Sequence, residues 1–162
     1  MSSVSFIVPV YNKSKFLKYV IKSLKIQRGK FEKEFIFVDD GSTDDSYEII
    51  NYLTRNLKNC RVLRQKNKGS ANATNVGIKL AKMKYIKFLD ADDLILRDTT
   101  ASLIEILERD KSLVLAFGLQ RKVSNLEDVN LNEKINIDNF SIIRNTTKKA
   151  MRNSMFNPSQ CL

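Results

Sequence analysis

The stretch "YIKFLDADDL" (residues 85–94) begins as a short apolar strand and ends in carboxylates. Asp90, Asp92 and Asp93 follow the strand directly. Two unit charges about 5 Å apart repel by roughly 3 kcal/mol at an effective dielectric constant near 20. Such a cluster therefore either spreads into water or gathers around a cation.

The rest of the chain alternates between strand and helix patterns. Apolar, β-branched runs are separated by amphipathic stretches with lysines on one side, which is typical of β-α-β units. This order predicts an α/β fold of the Rossmann-like kind, a mostly parallel sheet flanked by helices. Ser42 and Asp45 have capping-box spacing, and Asp98 is a capping residue for the helix after the acids. The predicted strands are residues 4–10, 34–38, 60–64, 85–89 and 112–119.

The amino-acid composition limits the catalytic groups and metal ligands that the chain can use. The 162 residues are enough for one domain with a packed core. The absence of histidine excludes a Ser/His triad and histidine metal sites. Cys60 and Cys161 match no zinc or redox spacing, and Cys60 is expected to be a reduced core thiol. Metal chemistry must therefore use oxygen ligands, which suits Mg²⁺ or Mn²⁺.

The net charge of +10 has two explanations. It can attract phosphates, acidic glycans or an anionic membrane face, or it can simply reflect a lysine-rich composition. Because there is no arginine-rich block or zinc-finger spacing, no nucleic-acid partner is expected. The N-terminus lacks a secretory-signal pattern and no apolar run reaches the length of a membrane span. We therefore expect a cytoplasmic protein, with peripheral association at the inner face of the membrane left open.

Polar motifs follow several predicted strands, where ligands gather in open α/β sheets. Each motif alone has an ordinary explanation, as a capping turn, a solvated acidic turn, a packing tyrosine or a loop before a helix. The glycine patterns of dinucleotide and P-loop sites are absent. The motifs are "PVYNKS" (9–14), "VDDGSTD" (38–44), "NKGSANATNVG" (67–77) and "LDADD" (89–93).

In this combination and order, the motifs resemble the N-terminal, nucleotide-sugar-binding part of the family 2 glycosyltransferases with the GT-A fold. The resemblance covers about residues 4–120. It implies inverting, metal-dependent transfer of a sugar from a nucleotide-diphosphate sugar, by expectation a UDP-sugar, to a glycan or lipid-linked acceptor in cell-envelope polysaccharide synthesis. We expect one domain over 1–162, with a donor-binding half (about 1–120) and a less regular acceptor-side region (121–162).

The resemblance also implies roles for individual residues around the nucleotide. Pro9 and Tyr11 would form the wall around the base. Asp40, or alternatively Asp39, would accept a hydrogen bond from a base N–H, since a carboxylate offers only acceptors. Gly69 and the small residues after it would let the backbone approach the nucleotide.

On the metal side, the resemblance makes Asp92 the acid that binds Mg²⁺ or Mn²⁺. Asp90 would face the ribose or the metal shell, and Asp93 would be a supporting or capping acid. The diphosphate and water would supply the remaining ligands.

Two positions depart from the family pattern. Thr74 stands where the family usually has an arginine near the nucleotide, and neither Lys66 nor Lys68 can reproduce a planar guanidinium fork. Arg97 stands where the family often has proline, a difference that we expect to be minor.

The catalytic base of the family is an acid in the C-terminal part, and here we expect it beyond Leu162. The later acids match no such motif, which predicts a fragment, a truncated product or, as the alternative function, a catalytically impaired nucleotide-sugar-binding module. A nucleotidyltransferase is disfavoured because no glycine-rich loop follows the first strand, and a homodimer stays open. The later acids are Glu127, Asp128, Glu133 and Asp138.

Overall fold

Four parallel strands form a sheet with helices on both faces in the computed structural model, which describes residues 1–118 and 121–133. The predicted α/β class is confirmed, although β1 and β2 are longer than predicted. Within the described ranges, no helix has the length and apolar character needed to cross a bilayer. The elements are β1 (Ser2–Val10), α1 (Ser14–Lys25), β2 (Phe31–Asp39), α2 (Ser46–Thr54), β3 (Cys60–Arg64), α3 (Ser70–Leu80), β4 (Tyr85–Phe88), α4 (Thr99–Arg109) and a 3-10 turn (Leu126–Asp128).

The strand order is β3-β2-β1-β4, with every pair parallel. The chain moves from β1 outward to β2 and β3, and then crosses back to place β4 on the other side of β1. The connections therefore reverse direction at β1. In open α/β sheets, the crevice at such a reversal, outside the carboxyl ends of the strands, is where ligands bind.

The two faces of the sheet bury different helices. Phe6 and Phe35 are paired in register and stack with ring centroids 5.4 Å apart, in the same cluster as the apolar residues of α1, α2 and α4. The opposite face presents Ile36 and Val38 to α3. Fully burying one such side chain contributes about 1.5–3 kcal/mol, so the double-sided burial of β1 and β2 explains their continuous apolar sequence.

Helix α3 lies very close to β1. A Cβ at Gly77 would sit 2.4 Å from Ile7 Cγ2, and Ile7 is fully buried. Only a residue without a side chain allows this approach. Gly77 therefore sets how tightly α3, and the loop that precedes it, can sit against the sheet.

A buried carboxylate closes the amino-terminal edge of the sheet. Glu34 accepts hydrogen bonds from Ser5 Oγ (2.6 Å) and Lys82 N (3.0 Å), and it pairs with Arg61 at 2.5 Å. Burial pushes the pKa of Glu34 upward, but these partners outweigh it and the pKa is lowered. Both oxygens of this carboxylate are thus engaged by the protein itself.

One carboxylate ties the starts of α1 and α2 together at the opposite edge. Asp44 accepts from Ser14 N (3.1 Å) and from Ser46 N (3.0 Å). Ser46 Oγ in turn accepts from Lys13 N at 2.8 Å. Partial burial pushes the pKa of Asp44 upward, but the hydrogen bonds from Ser46 and Ser14 outweigh it and lower the pKa to about 2. The "GSTDDS" turn therefore fixes the positions of the loops that follow β1 and β2.

The predicted capping bonds are wrong in detail. Helix α2 begins at Ser46, so Ser42 is not its cap, and the Asp45 side chain at the N-cap position makes no capping bond. Asp98 does occupy the N-cap of α4, but its side chain also makes no capping bond. At α2 the acceptor comes from Asp44, two residues before the helix starts, which accepts from Ser46 N.

The predicted fifth strand (112–119) is not a strand over its described part, 112–118, where Phe117 alone forms an isolated bridge. Val114 is 92% exposed, whereas Ala116 is buried in the main cluster. Single residues of this apolar run are therefore buried, but its described part forms no β-ladder of hydrogen bonds. Its apolar, β-branched composition is the reason for the wrong prediction. Residue 119 lies outside the described residues.

Arg97 is more than a minor departure from proline. Its N–H donates to Leu131 O and its carbonyl accepts from Arg28 N, both at 2.9 Å. Next to it, the Gln27 side chain accepts from Thr100 Oγ1 at 2.7 Å. Proline has no N–H, so it could not make the bond that joins the loop after β4 to the segment at 131.

We expect Gly77→Ala to lower the free energy of unfolding by about 1–2 kcal/mol. Overpacking costs about 1–3 kcal/mol, and helix propensity returns up to about 1 kcal/mol. Urea unfolding measures the change, with Asn75→Ala on the exposed face of α3 as the control for propensity alone. Unchanged stability of Gly77→Ala would show that α3 does not approach β1 this closely.

We expect Asp44→Asn to destabilise the fold by roughly 1–2 kcal/mol at pH 7, a value discounted for partial exposure. The folded-state pKa lies below the ordinary value of 3.8. The stabilisation by ionised Asp44 is therefore present above about pH 4 and is lost as the pH falls toward 2. Between pH 2 and 7, the free energy of unfolding should change less with pH for Asp44→Asn than for the exposed control Asp45→Asn. Identical profiles for the two variants would contradict the role of Asp44.

Candidate functional site

Three strand ends meet at the carboxyl edge of the sheet. Because β1, β2 and β4 run parallel, Tyr11, Asp40 and Asp90 all emerge at this edge. Strands β2 and β4 flank β1, so their ends are about 10 Å apart, twice the usual strand spacing. The predicted site residues after these strands are thus brought to one edge.

Asp40 organises the loop between β3 and α3. It is 2% exposed and accepts from Gln65 Nε2 (2.7 Å), Lys68 N (2.9 Å) and Gly69 N (2.8 Å). A carboxylate offers about four acceptor positions, so one on Oδ2 is left beside Gly69. Gln65, which the sequence analysis did not single out, follows β3 at the same edge.

Asp39 has different surroundings from Asp40. Its Oδ2 accepts from Ser42 N and pairs with Arg64 Nε, both at 3.2 Å. The residue is fully buried, and its Oδ1 has no hydrogen-bond partner within residues 1–118 and 121–133. An unsatisfied buried carboxylate oxygen is uncommon and costly. Arg64 also donates to Ser42 O at 2.8 Å, so this pair shapes the turn after β2.

The loop before α3 leaves backbone exposed. Gly69 has φ +88° and ψ 155°, a conformation that residues with side chains rarely adopt, and a Cβ there would meet no atom of the described residues within 4 Å. Lys66 and Lys68 are exposed on either side of Asn67. Thr74, at the position of the family's arginine, is half-buried in the second turn of α3.

Tyr11 and Pro9 form the rim at the end of β1. Tyr11 is 46% exposed, an unusual state for an aromatic residue directly after a buried strand. Pro9 is partly exposed and pairs with Val38 in the sheet. An exposed aromatic ring beside Asp40's strand provides a flat apolar surface.

The three acids after β4 form a tight turn, with Asp93 N donating to Asp90 O at 3.0 Å. Burial raises the pKa of Asp90, the carboxylates of Asp93 and Asp92 raise it further, and the ammonium of Lys13 opposes them. Lys13 Nζ lies 2.6 Å from Asp92 Oδ2. Sequence reasoning missed this contact, because the pair is separated by 79 residues.

The acidic turn offers only part of a metal site. Among residues 1–118 and 121–133, no three histidine, cysteine or acidic side chains are grouped to hold a metal ion. Asp90 and Asp92 nevertheless fit Mg²⁺ or Mn²⁺ in donor chemistry, because both are oxygen ligands. Burial first, and the carboxylates of Asp93 and Asp92 second, raise the pKa of Asp90, and a cation beside it would oppose both effects.

The later acids make contacts of their own, and Glu127 shares a cavity with Leu94, which directly follows the acidic turn. Glu127 accepts a hydrogen bond from Tyr19 Oη and lines a cavity of about 250 Å³ with residues of α1. Glu133 pairs with Arg121 at 2.9 Å, and Asp128 is exposed. Asp138 lies outside the described residues, as does any base beyond Leu162.

Sequence comparisons give relatives that are longer than this chain. Glycosyltransferase GlyG of Streptococcus pneumoniae serotype 4 is 38% identical over 114 residues, which are 69% of this chain and 38% of GlyG. Chondroitin synthase of Escherichia coli is 32% identical over 120 residues, which are 74% of this chain and 17% of the synthase. The chain thus spans less than two fifths of these relatives.

Solved structures with the GT-A fold also match this chain. TarS 1–349 of S. aureus in complex with UDP has a TM-score of 0.60 and 31% identity over 67% of this chain and 32% of that one. TarS 1–349 with UDP-GlcNAc also has a TM-score of 0.60, at 30% identity. The mannosyltransferase PcManGT from Pyrobaculum calidifontis, in complex with GDP-Man and Mn²⁺, has a TM-score of 0.68 at 24% identity over 73% of this chain and 35% of that one. This last likeness concerns the fold.

A family model described as "Glycosyl transferase family 2" matches residues 5–158, all but four residues at each end of the sequence. The parallel sheet and the strand-end motifs agree with this match. The chain therefore belongs to glycosyl transferase family 2.

Proposed function

We propose that this chain is the donor-binding part of an inverting, metal-dependent glycosyltransferase. It binds a nucleotide-diphosphate sugar at the carboxyl edge of the sheet, and the whole enzyme transfers the sugar to a glycan or lipid-linked acceptor. The observation that carries the proposal is the arrival of Asp40 from β2 and of Asp90 and Asp92 from β4 at one edge, on either side of β1. A nucleoside diphosphate is long enough to reach across this interval.

The base binds at the β2 side. The remaining acceptor position of Asp40 suits a base N–H, and the loop that Asp40 holds is already in place for it. Asp39 is the second candidate: its Oδ2 is held by Ser42 and Arg64, and its buried Oδ1 has no partner among the described residues. Uracil is the base we favour, since the TarS structures at 30–31% identity contain UDP and UDP-GlcNAc.

The diphosphate binds between Gly69 and the acids after β4. The open space above Gly69 admits close approach to the backbone, and the N-terminus of α3 favours negative charge. Asp90 and Asp92 would hold Mg²⁺ or Mn²⁺, with donor phosphates and water completing the coordination. When bound, the ion would stabilise the negative charge that develops on the leaving diphosphate.

The alternative is a nucleotide-sugar-binding module that lacks a catalytic base. Both proposals require donor binding, and only the first predicts that a version of the chain extended past Leu162 transfers sugar where this chain does not. A radiolabelled UDP-sugar incubated with mixed glycan and lipid acceptors separates them. Acceptor identity, peripheral membrane association and homodimer formation stay predictions.

UDP and Mn²⁺ together should raise the melting temperature more than either does alone. A ligand at 100 times its Kd stabilises the folded state by about 2.7 kcal/mol, and each kcal/mol is worth about 2–4 °C for a domain of this size. Asp92→Asn should remove the Mn²⁺-dependent part of the shift, whereas the exposed control Asp128→Asn should retain it. An undiminished Mn²⁺-dependent shift in Asp92→Asn would place the metal elsewhere.

Tyr11→Ala should weaken UDP binding about 10-fold, because stacking of a base on an aromatic ring is worth about 1–3 kcal/mol. Isothermal titration with UDP in excess Mn²⁺ gives the Kd. Tyr52→Ala is the matched control, since Tyr52 is a more exposed tyrosine (63%) on α2. If both variants lose the same UDP affinity, or if neither loses any, Tyr11 is not the base-stacking residue.

A further inference from the structure

Lys13 links two elements of the carboxyl edge. Its backbone N–H donates to Ser46 Oγ at 2.8 Å, which fixes the residue between β1 and α1. Its ammonium lies 2.6 Å from Asp92 Oδ2. The backbone anchor means that only the side chain has to move for the ammonium to leave Asp92.

The contact with Asp92 is a partly exposed ion pair. The side chains of Lys13 and Asp92 are 34% and 41% exposed. Ion pairs in contact with solvent are worth about 0–1 kcal/mol, so this one can be exchanged for another cation at little cost. An ammonium within contact distance of Asp92 also repels any divalent ion that approaches the same carboxylate.

Resting on the donor site proposed above, we propose that Lys13 is an internal counter-cation for Asp92 that the divalent ion displaces when the donor binds. The freed ammonium then pairs with the diphosphate. Before donor binding, Lys13 competes with the metal for Asp92. Afterwards the ammonium lies next to the phosphates, and their negative charge offsets the repulsion between the ammonium and the metal. Lys13 thus makes metal binding depend on the donor.

The test is metal and nucleotide affinity, measured separately on the full chain. Free Mn²⁺ is followed by electron paramagnetic resonance during titration without nucleotide, and UDP is titrated by calorimetry in saturating Mn²⁺. The charge-removing variant is Lys13→Met, which keeps an unbranched side chain. Lys13→Arg keeps the charge, and Lys15→Met removes one charge from an exposed position two residues away.

Lys13→Met should bind Mn²⁺ alone about 5-fold more tightly than wild type, the factor that about 1 kcal/mol of ion-pair energy gives. The same variant should bind UDP in Mn²⁺ about 5-fold more weakly. Lys13→Arg and Lys15→Met should stay close to wild type in both titrations. A purely structural role for Lys13 would not move the two affinities in opposite directions.

Equal Mn²⁺ affinity of wild type and Lys13→Met would overturn the inference and leave the donor site standing. Tighter Mn²⁺ binding with unchanged UDP affinity would overturn the transfer of Lys13 to the diphosphate. If neither wild type nor any variant binds Mn²⁺ with or without UDP, the metal-dependent donor site fails together with the inference.

Discussion

Strand β1 pairs in parallel with a neighbour on each side, and this double pairing determines the geometry of the candidate site. β2 and β4 deliver their loops to the same edge because both follow the direction of β1. The pairing is held by apolar side chains on both faces, with Phe6 on one and Ile7 on the other, both fully buried. A register shift of one residue in β1 would exchange these faces.

The two edges of the sheet differ in how far their buried carboxylates are compensated by protein groups. At the amino-terminal edge, both oxygens of Glu34 are engaged by protein groups. At the carboxyl edge, Asp39 keeps an oxygen without a partner among the described residues, and burial together with two neighbouring carboxylates raises the pKa of Asp90. Buried charge that is fully compensated is structural, whereas the uncompensated charge marks the edge where an external cation or hydrogen-bond donor would bring stabilisation.

Local patterns predicted much of this arrangement, and tertiary contacts account for the rest. The apolar runs and the polar residues between them predicted the strands around Ile7 and Ile36 and the start of α1 at Ser14. The run around Val114 has the same composition but forms only an isolated bridge at Phe117 in its described part, so composition alone misassigned it. No local pattern could reveal that Asp44 serves two helices, or that Lys13 meets Asp92, because the fold alone brings these side chains together.

Strand β3 is an edge strand in the described part of the sheet, and its sequence "CRVLR" places arginines at two of five positions. Arg61 and Arg64 are drawn back onto Glu34 and Asp39 of the neighbouring strand. Charged side chains and short length both disfavour the addition of a foreign strand to an exposed edge. The residues that neutralise buried acids in β2 thereby also protect the protein against intermolecular β-pairing, so replacing either arginine with an apolar residue would create a solubility liability as well as an unpaired carboxylate.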